Sequence, residues 1–217
     1  DEQSADLKTP EWEIFTAADP ARNNKDFLLR PVAAPRGFES CFDKVVMVER
    51  LREVRALTAF TRIESPGDFS DPSEIPAALK APLCRGAPHW VPVSEVRGEG
   101  VFLQFSDEAI RDWCKRVRDR EAEFRQAHFA WRRTRRIPNP AAGYPGIRYA
   151  LIHSLSHALM RQLSMEAGYT AASIRERIYA NDGDGDLPAM AGLLLYTAAP
   201  DSEGTLATDL TAAATRI

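Results

Sequence analysis

The strongest constraint on folding lies between Ile147 and Thr197. From Ile147 to Met165, apolar residues recur at Leu151, Ile152, Leu155, Leu159 and Leu163. That spacing gathers them on one side of an α-helix and requires a core to receive them. Gly168 suits the position just past this helix, and Thr170 suits the cap of a second, shorter helix through Ile178 and Tyr179. Met190-Ala191-Gly192-Leu193-Leu194-Leu195-Tyr196-Thr197 is an unbroken apolar run, the pattern of a buried strand. Core packing accounts for the leucines of this helix–helix–strand unit. It does not account for the ionisable residues in and around it: His153, His157, Arg175, Arg177, Asp201 and Glu203.

The rest of the chain is less regular. Residues 1–40 are polar and interrupted by Pro10, Pro20, Pro31 and Pro35, which predicts a linker or extended arm with a short helical turn near Trp12 to Phe15. Lys44 to Val48 reads as a short strand, Leu51 to Leu57 as one or two helical turns, and Thr58 to Ile63 as a strand. Prolines and glycines make 64–88 a loop. Trp90 to Val93 and Gly100 to Phe105 read as two strands about a turn at Arg97-Gly98-Glu99-Gly100. Ser106 or Asp107 caps a helix that starts near Glu108, runs to about Trp131 and is ended by Pro138 and Pro140. The expected fold is therefore mixed α+β, a small central sheet flanked by helices with long loops.

At 217 residues, 44% hydrophobic and 27% charged, the chain can bury a substantial core. No apolar run reaches the roughly 20 residues that cross a bilayer, and no signal peptide opens the chain, so no membrane partner is expected. The first residue is Asp1 rather than Met, which suggests a piece of something longer. Cys41, Cys84 and Cys114 are isolated thiols, favouring a reducing, cytoplasmic setting and offering no zinc motif.

Net charge is only −3, but its distribution is uneven, with ten basic and four acidic residues between Arg111 and Arg136. Arg132, Arg133, Arg135 and Arg136 follow Trp131, and Arg118 and Lys115 precede them. Clustered cations of this kind neutralise phosphates and release counterions, giving sequence-independent affinity for nucleic acid. The competing reading is a solvated helix face, which Asp119, Glu121 and Glu123 favour for the middle of the segment. No P-loop or nucleophile elbow is present, which argues against an ATPase or a serine hydrolase.

His153 and His157 stand four apart, so a helix projects both imidazoles from one face, as zincins do. Ser154 occupies the position where a metalloprotease needs its general base, and no third ligand is evident from sequence. Histidines packed in a core and bonded to neighbouring loops are the favoured reading, and no metal site is assigned. Arg175 and Arg177 on the second helix either clamp phosphates or pair with Asp201 or Glu203. Asp182 to Asp186 resembles a calcium loop, but Leu187 stands where that loop needs glycine and Leu193 where it needs glutamate. An enzyme reading would combine His153, His157 and Asp201 in metal-assisted nucleic-acid processing. A third reading is a protein–protein adaptor docking through 64–88 and the N-terminal arm.

Leu51-Arg52-Glu53-Val54-Arg55, Arg97-Gly98-Glu99-Gly100-Val101-Phe102-Leu103, His153-Ser154-Leu155-Ser156-His157, Ser173 to Tyr179 and Asp201-Ser202-Glu203-Gly204-Thr205-Leu206 together resemble the DrmB family. DrmB is a component of DISARM, a bacterial anti-phage defence system, and carries a domain also found at the C-terminus of MrfA-like helicases. The resemblance covers roughly 41–206, an incomplete helicase-associated domain, between a 1–40 arm and a 207–217 tail. It implies a non-catalytic, DNA-binding partner of the DrmA-type helicase, which supplies ATP hydrolysis. The pair is expected to bind DNA with single-stranded overhangs, while a companion methyltransferase marks host DNA, as in restriction-modification. It singles out His153, His157, Arg175, Arg177, Asp201, Ser202 and Glu203 as family-motif positions. It also implies a zinc-holding cysteine cluster in regions absent here, since no cysteine follows Cys114, and so no cofactor is expected on this segment.

Overall fold

The computed structural model describes residues 6–20, 22–61, 75, 79–86, 88–137, 139–167, 173–183 and 188–197. It divides into two compact units, the smaller holding Glu53–Val96 and the larger Asp6–Arg52 with the chain from Arg97 onward. The elements in chain order are α1 (Lys8–Thr16), β1 (Arg22–Asn23), β2 (Phe27–Val32), β3 (Phe42–Ala56), β4 (Ala59–Thr61) and β5 (Lys80–Pro82). They continue as β6 (Val93–Phe105), α2 (Asp107–Arg116), α3 (Arg118–Thr134), α4 (Gly146–Ala167), β7 (Ile174–Asn181) and β8 (Met190–Thr197). The mixed α+β class is the one expected. Within the smaller unit β4 pairs antiparallel with β5, and the Leu57 N–H donates to the Pro92 carbonyl.

A six-stranded sheet runs in the order β1-β2-β3-β6-β8-β7. β2 pairs antiparallel with β1 and β3, and β8 antiparallel with β6 and β7. Strand alternation sends the apolar side chains to two different cores. Val45, Met47, Val101, Phe105, Ala191, Leu193, Leu195, Ile174 and Ile178 join Ile110 of α2 and Ile152 and Leu163 of α4 in one cluster. Val46, Val48, Phe102, Leu194, Tyr196 and Tyr179 join Trp12 and Phe15 of α1 in the other. The inner strand β8 is buried at all eight positions, as its unbroken apolar run requires.

Residues 1–40 are not a linker or arm over their described part. α1 stacks Phe15 on Phe102 at 4.5 Å and sets Trp12 edge-on to the same ring, while β2 enters the main sheet. Three buried aromatics outweigh the prolines, which fall where they cost little: Pro10 is in the first turn of α1, and Pro31 lies in β2 past its pairing with β1, where β3 is the one paired strand among the described residues. Glu11 completes the contact, accepting from Arg177 Nε and, at 2.8 Å, from the Tyr179 hydroxyl.

Three other segments differ from their sequence reading. Leu51 to Ala56 continues β3, because pairing with β2 reaches Leu51 and an isolated turn of helix cannot repay its nucleation cost. Arg97 to Gly100 is not a turn but the middle of β6. Its glycines allow close approach: a Cβ on Gly98 would lie 1.7 Å from the Thr197 carbonyl oxygen, and one on Gly100 2.2 Å from that of Leu195. Asp107 to Thr134 is two helices that meet at Val117, whose N–H closes α2 on the Trp113 carbonyl. Ser106 caps α2 as expected, accepting from the Ala109 N–H. Gly168, Thr170 and Pro138 lie outside the described residues.

Gly192 is where α1 meets β8, since a Cβ there would stand 2.5 Å from Trp12 and 3.2 Å from Phe102. Gly192→Ala is expected to lower stability by about 1–3 kcal/mol in urea unfolding, from overpacking. Gly86→Ala, with nothing within 4 Å of the added carbon, is the control and should change it by no more than about 0.5 kcal/mol.

Tyr179 supplies a pH test. Burial, aided by the Glu11 carboxylate, pushes its phenol far above the usual tyrosine range. A raised folded-state value favours the neutral phenol, so its contribution is complete below about pH 10, where the unfolded chain ionises, and is lost as pH rises further. Stability measured from pH 8 to 11.5 should therefore fall above about pH 10, and Tyr179→Phe should remove up to about 1.4 kcal/mol per pH unit of that slope.

Candidate functional site

Two groups of polar side chains stand out in the larger unit, one on the α4–β7 face and one along α3. On α4, the spacing of His153 and His157 places their Nε2 atoms 2.8 Å apart, with ring centroids at 4.6 Å. β7 contributes the third member. Ile174 and Ile178 point into the core beneath α4, so alternation sends Glu176 to the same face. Its Oε1 lies 3.2 Å from His153 Nε2 and 3.8 Å from His157 Nε2. Tyr149, one turn before His153, packs its ring 5.4 Å from that imidazole. Burial, with the Glu176 charge adding to it, raises the Tyr149 phenol and keeps it protonated.

This geometry corrects the sequence reading twice. The histidines are not packed in a core: their side chains are 41% and 57% exposed. Their partner is a strand carboxylate rather than a loop. Residues 174–181 are a strand and not the second helix that Thr170 was expected to cap. The neighbours of Glu176 consequently face the opposite side, where Arg177 pairs with Glu11. Arg175 is exposed on β7 opposite Tyr196. Asp201, Ser202 and Glu203 lie outside the described residues.

Along α2 and α3 the charges sort by position. Arg111 pairs with Asp107, Lys115 with Asp112, Arg120 with Glu123 and Arg125 with Glu121, each one helical turn apart. Arg116, Arg118, Arg133 and Arg136 are exposed, with no ion pair among the described residues. Arg135 lays its guanidinium 4.8 Å over the Trp131 ring, a cation–π contact on an exposed side chain. Arg132 is 5% exposed and so is part of the interior, not of the charged surface expected for it. Arg118, Arg125, His128 and Tyr144 line a groove of about 540 Å³, across which Arg125 sits 4.6 Å over the Tyr144 ring.

Another arginine has a structural role. Arg148 of α4 is buried, pairs with Asp107 at 2.8 Å and Asp182 at 2.9 Å, and donates to the Met190 carbonyl. It thereby ties the starts of α2, α4 and β8 together. Burial raises the nearby Cys114 thiol, which disfavours the thiolate a metal would need.

A sheet carrying a His–His–Glu cluster on the face covered by α4, with an arginine-rich helix alongside, is the setting for comparison with known proteins. The family model of the MrfA Zn-binding domain matches residues 155–217, so the C-terminal part of the chain is similar to that domain. The DISARM protein DrmB of Bacillus paralicheniformis is 32% identical over 204 residues, 92% of this chain and 34% of that relative. The chain is similar to DISARM protein DrmB over nearly all of its own length, and it spans about a third of the length of this relative. The matched stretch 155–217 contains no cysteine, so a thiolate zinc site cannot be built from it; it contributes His157 and Glu176 to the cluster completed by His153.

The burial contrast along α3 is testable. Arg132→Ala is expected to lower stability by about 1–3 kcal/mol, because it strips a buried guanidinium from its surroundings. Arg133→Ala should stay within about 0.5 kcal/mol of the parent in the same denaturation experiment.

Proposed function

We propose that this chain is part of a DISARM defence component, a subunit without an active site of its own that binds DNA beside a DrmA-type helicase. The observation that carries the reading is the similarity to DISARM protein DrmB across nearly the whole chain. The physical support is the set of exposed cations at and beyond the end of α3: Arg133, Arg135 and Arg136, with Arg116 and Arg118 at its start. Arg116, Arg118, Arg133 and Arg136 make no ion pair among the described residues, so they can neutralise phosphates at no cost in broken ion pairs. Trp131, already under Arg135, offers an aromatic face beside them. Lys115 is weaker support, since it is held by Asp112 at 2.7 Å. In this reading the helicase hydrolyses ATP, and this subunit helps it hold unmodified DNA or DNA with a single-stranded overhang.

The test is the salt dependence of DNA affinity, with parent and Arg133→Ala/Arg135→Ala/Arg136→Ala compared by fluorescence anisotropy, alone and with the helicase. Each lost phosphate contact should reduce the slope of log K against log salt by about 0.7–0.9, so the triple variant should lose about 2. An unchanged slope would remove this segment from the DNA interface. Failure of the chain to associate with the helicase or with DNA would remove the reading altogether.

A further inference from the structure

We propose that His153, His157 and Glu176 form a binding site for a divalent transition-metal cation of the zinc type. Three donor atoms of the right chemistry, two imidazole nitrogens and a carboxylate oxygen, converge within 4.8 Å of one another. Two come from adjacent turns of α4 and the third from β7, so the cluster is fixed by a helix spacing and a strand register rather than by loop conformation.

The distances fit. A tetrahedral ion about 2.1 Å from each ligand separates its donors by about 3.4 Å. The observed edges of 2.8, 3.2 and 3.8 Å bracket that value, and small side-chain rotations of half-exposed imidazoles equalise them. Two histidines and one glutamate are a donor set used by open zinc sites, in which the remaining position is left to water or substrate. Here the exposed side of His157 leaves that position facing solvent.

The electrostatics favour a positive charge at this point. Oε2 of Glu176 is buried without a hydrogen-bond partner among the described residues. Its Oε1 faces only the two imidazoles, and no arginine or lysine pairs with this carboxylate among the described residues. A divalent cation meets that need and would accept a lone pair from each Nε2 and from Oε1. The chain's three cysteines are not part of the cluster, so the site differs in kind from a thiolate zinc centre.

Titration of the full chain with Co²⁺ and Zn²⁺ tests this, read by absorbance and calorimetry with no activity assay involved. One equivalent should bind, with cobalt d–d bands and no thiolate charge-transfer absorption. His157→Ala and Glu176→Gln should each weaken binding by about 100-fold or more, as loss of a direct ligand must exceed the 10–100-fold typical of supporting residues. His157 is exposed, so its alanine variant should keep the parent's far-UV circular dichroism, which separates lost binding from lost folding. No binding by the parent chain, equal binding by the variants, or a thiolate band would overturn the proposal.

Discussion

All eight residues of β8 are buried because it lies between β6 and β7 while α4 covers one of its faces and α1 the other. Burying a leucine or isoleucine contributes roughly 1.5–3 kcal/mol, so this strand holds a large share of the unit's apolar stabilisation. It also dictates where neighbours can be. Gly98 and Gly100 let β6 approach its backbone, and Gly192 makes room for Trp12. Arg148 reaches the Met190 carbonyl at its start, which fixes α4 against the sheet and so fixes the direction of His153 and His157. The polar cluster on that face is a consequence of how tightly this strand is enclosed.

The elements legible in the sequence are those whose hydrophobic pattern has one interpretation. α4 has too long and too regular an apolar face to be anything but a helix packed on a core, and β8 is too short and too uniformly apolar to be an amphipathic one. Ile174 and Ile178 were ambiguous for a physical reason: a separation of four lies on one face of a helix and also on one face of a strand. Pairing with β8 over eight residue pairs decides the matter, and no local signal reports it. The cost of the helical reading was Glu176. Read as a strand, Ile174-Arg175-Glu176-Arg177-Ile178 puts the glutamate beneath α4 and both arginines on the other side.

The arginine-rich segment shows a different limit. Sequence locates the charge but not its commitments, which depend on which carboxylates fall one turn away and which face is covered. Four cations of α2 and α3 are bound to acidic neighbours at three- or four-residue spacing. That much can be read from spacing alone. The burial of Arg132 between exposed neighbours cannot, because helix rotation against the rest of the unit is set by tertiary packing. The charged surface that remains is narrower than the run of basic residues and lies at the two ends of α3.

β7 joins these observations. Its alternation places Arg177 toward α1, where it meets Glu11, and Glu176 toward α4, where it meets two imidazoles. On the first face the charge is balanced within the protein, by a guanidinium, a carboxylate and the Tyr179 hydroxyl. On the second face a carboxylate stands opposite two imidazoles, with its other oxygen unsatisfied among the described residues. A strand that carries one neutralised and one unneutralised ionic contact back to back separates a structural site from one open to a ligand. The open one is also the more exposed, so a cation could reach it without disturbing the core that Ile174 and Ile178 complete.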